Sequence, residues 1–207
     1  MTTIKKPEWF FYPGWVVLTT FALPVAFALT FIILDLVVQV VGATVMINGR
    51  SRITEDWLFG YIFIPVLGLT TGFLQYLLLR HYLPRMGKWV GATTLGWLLA
   101  AVIVFFLRLF LIERFLRANV DWLALLMITL IAGSVSFMQW LILRRRVPHA
   151  GWWIPATIAG WIAMRLVTGG ETTSGPMDIW YLGVLPAIAT SAALWLLLAP
   201  LPPLPKT

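Results

Sequence analysis

The sequence predicts an all-α integral membrane protein, with six transmembrane helices arranged as three helical hairpins that repeat in parallel. Three observations carry that expectation. The chain is 60% hydrophobic and only 11% charged over 207 residues, with a mean hydropathy of +0.90, whereas a water-soluble domain of this length exposes far more charge. Six apolar segments are each about the length that crosses a bilayer. A stretch around residue 75 recurs around residue 139, with the same turn residues at its centre.

The segments run, in order, over residues 15–41, 57–79, 89–112, 122–143, 152–168 and 179–198. The first is long enough to tilt and carries Pro24, a kink site. Its approach through Lys5 and Lys6 and its Ala26-Phe27-Ala28 resemble a cleavable leader, but the apolar run continues to Val41, far past a leader core, and reads as a retained helix. The fifth is the shortest and ends at Thr168-Gly169-Gly170, and the tail PLPPLPKT cannot extend the sixth as a helix. All 207 residues are read as one membrane domain, with hairpins over about 14–80, 87–144 and 151–199.

Basic residues fix the expected orientation. With the N-terminus in the cytoplasm, that side collects Lys5, Lys6, Arg80, Arg85, Lys88, Arg144, Arg145, Arg146 and Lys206, against Arg50, Arg52, Arg114 and Arg117 opposite. The positive-inside rule then puts both termini in the cytoplasm. The net charge of +7 follows from residues at the ends of apolar runs, a placement that orients a membrane protein and does not track nucleic acid.

Residues 72–97 align with 136–161 without gaps, at an offset of 64, and 12 of the 26 positions are identical. The matches include Gln75/Gln139, Arg80/Arg144, Pro84/Pro148, Gly87/Gly151, Trp89/Trp153, Thr93/Thr157, Gly96/Gly160 and Trp97/Trp161. Apolar bias yields coincident leucines, not coincident Gln, Pro, Gly and Trp, so a true internal repeat is expected. Fainter copies flank it. Gly14-Trp15 with Thr20 pairs with Gly151-Trp152 and Thr157, and Trp195-Leu196-Leu197-Leu198 with Pro203 pairs with Trp140 to Leu143 and Pro148. A repeated two-helix unit keeps its orientation, so the copies are related by an axis along the membrane normal. The pattern resembles a family of bacterial multi-pass membrane proteins, of cyanobacteria and Chloroflexota, that repeat a QW-x-x-LRR-x-x-P-x-AGWW-like motif. The resemblance spans roughly residues 60–165. It implies a multi-pass fold and a bacterial source, and hence a bacterial cytoplasmic membrane, and it implies no activity. The first copy departs from the motif at Tyr76 and Lys88.

Within the turn, Arg144, Arg145 and Arg146 are placed to reach lipid headgroups, and Trp152 and Trp153 to anchor at interface depth in an aromatic belt. Anchoring is preferred here over a specific anionic-lipid or partner site. Gln75 and Gln139 lie about 7 Å inside the same membrane face. Gly72 and Ser136, three residues earlier, make a close helix–helix contact with an interhelical hydrogen bond the preferred reading, ahead of a symmetric substrate site. Trp97 and Trp161 fall about 15 Å deep, near the bilayer centre. Packing inside the protein is the simpler role for them, and contact with a lipid tail, quinone or pigment the functional one. Asp35 and Arg108 share a depth of about 31 Å and are expected to pair between hairpins. Arg165 lies deeper and is the best single candidate for an anion or partner contact.

The absence of cysteine excludes disulfides and thiolate chemistry. His81 and His149 sit in cytoplasmic turns, no Walker loop or Gly-x-Ser-x-Gly is present, and no cofactor is specified. The expected function is therefore a non-enzymatic accessory or scaffold subunit in contact with the bilayer and with other membrane proteins. A small-solute or ion pathway between the hairpins is the alternative.

Overall fold

Backbone amides in hydrocarbon must find partners within their own segment, and uniformly apolar runs therefore become helices. The computed structural model describes residues 7–83, 86–115, 120–168 and 183–198. Six helices account for most of them: α1 (Phe11–Val41), α2 (Thr54–Tyr82), α3 (Lys88–Phe115), α4 (Val120–Leu143), α5 (Trp153–Val167) and α6 (Val184–Leu198). Four of these, α1 to α4, contain stretches long and apolar enough to cross a membrane. Helices α5 and α6 have 15 residues each, about 22 Å at 1.5 Å per residue. The expected start of the last segment at residue 179, the Gly169-Gly170 end of the fifth, and the residues after 198 lie outside the described residues.

Each helix packs against the one before it in the chain, and α6 returns to pack against α1, so the six form a closed ring. The side chains of that ring are sorted the opposite way to those of a water-soluble bundle. Along α1 the outward positions are Phe21, Val25, Leu29, Ile32 and Leu36, while Ala22, Ala26, Thr30 and Leu34 are buried. Among the described residues twelve polar side chains are buried, all of them Thr, Ser or Gln. Small and hydroxylated side chains let helices approach and bond, and bulky apolar ones face outward, which is how helices are sorted in lipid.

The core is concentrated at one end. Phe11, Trp15, Met86, Trp89, Val147 and Trp153, from the starts of α1, α3 and α5 and the turns before them, meet Leu79, Leu83, Leu143, Leu194 and Leu198 from the far ends of α2, α4 and α6. The turn before α5 is a short 3-10 segment, Ala150–Trp152, entered through His149 in the left-handed region at φ 57°.

Between α1 and α2, at the opposite end, lies an element that the all-helical expectation omitted. Strands β1 (Thr44–Ile47) and β2 (Arg50–Ile53) pair antiparallel, with Thr44 opposite Ile53 and Ile47 opposite Arg50. Asn48 and Gly49 turn the chain with φ of 50° and 75°, the positive pair of a type I′ turn. Thr54 ties the base of the hairpin, its hydroxyl donating to the Gly42 carbonyl at 2.7 Å and its N–H to Ala43 at 3.0 Å. Gly49→Val places a β-branched residue where L side chains are strained by about 1–2 kcal/mol. It should erase amide protection over residues 44–53 in hydrogen exchange and leave protection in α1 and α2 unchanged. Loss of protection in those helices would show that the hairpin is integral to the ring.

Candidate functional site: an axial tryptophan–glutamine network

Helices α1, α3 and α5 each open with a tryptophan followed four residues later by a threonine: Trp15/Thr19, Trp89/Thr93 and Trp153/Thr157. One helical turn separates the two side chains, so both face the same way. All three indoles are fully buried. The Trp153 ring lies 5.9 Å from both Trp15 and Trp89, edge to face in each case, a favoured aromatic geometry.

A buried indole N–H needs an acceptor, and α2, α4 and α6 supply three. Trp89 Nε1 donates to Gln75 Oε1 at 3.1 Å, and Trp153 Nε1 donates to Gln139 Oε1 at 3.0 Å. Both pairs are 14 residues apart across a turn. The glutamines are joined in turn: Gln139 Nε2 donates to Gln75 Oε1 at 3.1 Å and to Thr93 Oγ1 at 3.0 Å. Gln75 Nε2 reaches Thr19 Oγ1 at 3.4 Å. Position 194, where the fainter copy would place a third glutamine, is Leu194, fully buried. Trp15 takes a substitute one turn earlier, donating to Thr190 Oγ1 at 3.0 Å. Thr190 passes its own proton to the Pro186 carbonyl at 2.8 Å.

Directly beside the network is a cavity of about 70 Å³. All six helices contribute to its wall: Thr19 and Leu23, Thr71 and Gln75, Trp97, Val135 and Gln139, Thr157 and Trp161, and Pro186 and Thr190. The rings of Trp97 and Trp161 meet edge to face at 6.2 Å. Trp97 Nε1 is buried and has no hydrogen-bond partner among the described residues.

The expected site residues divide accordingly. Gln75, Gln139, Trp97 and Trp161 come together at the axis. Trp153 does not anchor at the interface as expected; its ring is fully buried in the network, while Trp152 beside it is 68% exposed. Successive residues of a helix point about 100° apart, so equal depth does not mean equal facing. The same shift corrects the register of the first copy. Trp15 occupies the position of Trp153, not that of Trp152, because one residue separates Gly87 and Gly151 from their buried tryptophans and none separates Gly14 from Trp15. Thr19, not Thr20, is then the counterpart of Thr93 and Thr157.

Arg144 stacks over the Trp140 ring at 4.9 Å and Arg145 is exposed. Arg146 instead bends back to Met86 Sδ at 3.5 Å and the Ile142 carbonyl at 3.4 Å. Asp35 is exposed and accepts from Gln39 Nε2 at 2.9 Å, within its own helix. The side chain of Arg108, its expected partner, lies outside the described residues. Arg165 is half-buried in the last turn of α5, away from the cavity wall. Among the described residues, no three His, Asp or Glu side chains gather as a metal site would require.

Among the described residues no ionisable side chain lines the cavity, and the network beside it is made of amides, hydroxyls and indoles. Such an arrangement holds helices together and can hydrogen-bond a neutral guest. Comparison of the chain with protein-family models, curated proteins and solved structures finds no match.

Proposed function

We propose that this chain is a six-span protein of a bacterial cytoplasmic membrane, with both termini in the cytoplasm, that serves as a non-enzymatic accessory or scaffold subunit packing against a larger membrane assembly. The observation that carries the reading is how its polar groups are used. Glutamine, threonine and indole groups inside the ring bond to one another, and the outward faces carry large apolar side chains such as Phe31, Ile32, Leu95, Phe105 and Phe106. That outer surface suits lipid and partner helices, and the inner one serves cohesion. The equal 14-residue spacing of Gln75–Trp89 and Gln139–Trp153 supports the parallel hairpin repeat. The exposed Arg144 and Arg145 support its basic end as the cytoplasmic one.

A solute or ion pathway between the hairpins is the weaker reading. Gln75 and Gln139 do border one cavity, but their amides are engaged with each other, and three fully buried tryptophans fill the axis at the core end. Native mass spectrometry of membranes solubilised in mild detergent tests the choice. The expected result is a complex of fixed stoichiometry with other membrane subunits. Recovery of the chain free of partners in several mild detergents and in polymer nanodiscs would overturn the subunit reading. Solute flux through the purified chain in proteoliposomes would establish the pathway instead.

A further inference from the structure

We infer that the axial cavity is a binding site for one small, uncharged molecule bearing a hydrogen-bond acceptor oxygen, which accepts from the indole N–H of Trp97. Unlike the network beside it, the cavity is not self-satisfied. The Trp97 ring lines it, and Trp97 Nε1 is buried with no partner among the described residues. Trp15, Trp89 and Trp153 each have one, so Trp97 departs from the pattern of those three indoles. A buried donor without an acceptor is costly, and the cavity is the space from which an acceptor can approach.

The other wall groups narrow the chemistry. Gln75 Nε2 spends one of its two hydrogens on the long 3.4 Å contact to Thr19, and Gln75 Oε1 is already filled by two donors. Trp97 Nε1 is the wall donor left without an acceptor among the described residues, so the guest accepts there. Leu23, Val135 and Pro186 supply an apolar wall and none of the described lining residues is charged, which disfavours an ion because a bare charge there would be uncompensated. The space of about 70 Å³ is well above the roughly 10–15 Å³ that one water needs on this measure. It admits a few waters or a small ketone, ether or alcohol. Water from the aqueous face and a small oxygenated molecule dissolved in the bilayer share this chemistry.

The test uses the full chain in lipid nanodiscs with ¹⁵N-labelled tryptophan, reading indole N–H resonances by NMR. Trp97→Phe assigns the Trp97 signal by its disappearance, and the signals of Trp15, Trp89 and Trp153 report that the fold is intact. Acetone is the organic probe, since it accepts and cannot donate. A saturable downfield shift of the Trp97 signal alone, abolished by the cavity-filling Leu23→Phe, identifies an organic acceptor site. A persistent cross-peak from Trp97 N–H to water, with no response to acetone, identifies water as the resident. If the Trp97 signal shows neither, or if acetone moves all indoles alike without saturation and no water cross-peak exists, the cavity is dry and the site is refuted. None of these results depends on whether the chain has a partner complex.

Discussion

Gln139→Leu is expected to lower the unfolding free energy by about 2–4 kcal/mol. Leucine is close to glutamine in volume, so the change removes hydrogen bonds without opening much space. Gln139 makes three: it donates to Gln75 and Thr93 and accepts from Trp153. Interhelical hydrogen bonds in membranes average only about 0.6 kcal/mol, and two lost donations account for about 1. The larger part comes from Trp153, whose fully buried N–H is left without an acceptor at about 1–3 kcal/mol. That division makes a sharper prediction. Trp153→Phe in the Gln139→Leu background removes the orphaned donor, so the double variant should be less destabilised than the sum of the singles by about 1–2 kcal/mol. Unfolding of the purified chain by SDS titration in mixed micelles measures all three. A Gln139→Leu loss below about 0.5 kcal/mol, or strict additivity with Trp153→Phe, would mean the network is not formed as described.

Much of this arrangement could be read before any coordinates. The long helices are visible as apolar runs, and the matched Gln, Gly, Trp and Thr at an offset of 64 name most of the axial residues. What stayed hidden has a common physical cause. A helix that is apolar all round carries no hydrophobic periodicity, so depth can be read from distance to a turn while facing cannot. Trp152 and Trp153 are neighbours at one depth, and only packing decides that the first is exposed and the second buried. The bond from Trp15 to Thr190 spans 175 positions and depends on α6 closing the ring onto α1, which no local pattern records. Small and hydroxylated residues were the better guide: Ala22, Ala26 and Thr30 recur every four residues along the buried side of α1. The β-hairpin is a different case. Asn48-Gly49 between TVMI and RSRI is a strong hairpin signal, and it lies between two spans, outside the apolar runs from which the helices are read.

The glycines at the helix crossings give the second large effect, and here the sign of the change distinguishes packed from open positions. A Cβ at Gly96 would stand 2.7 Å from Val135 Cα and 3.2 Å from the Ser134 carbonyl oxygen, both backbone atoms of α4. Its repeat partner Gly160 would meet Pro186 Cα and Ala189 Cβ of α6 at 2.8 Å. Backbone cannot rotate aside as a flexible side chain does, so one added methyl forces the helices apart. Overpacking of this kind costs about 1–3 kcal/mol. Gly96→Ala and Gly160→Ala should each destabilise by about 2 kcal/mol in the same SDS titration. Gly91, five residues before Gly96 on α3 and so on a different face, has nothing within 4 Å, and alanine is the better helix former by about 1 kcal/mol. Gly91→Ala should therefore be neutral or stabilising. The consequence for the cavity follows from position. Gly96 and Gly160 immediately precede Trp97 and Trp161, so any separation at the crossings also draws apart the two rings that wall the site. If Gly96→Ala proves as harmless as Gly91→Ala, the close approach of α3 to α4 is wrong, and with it the cavity geometry that depends on it.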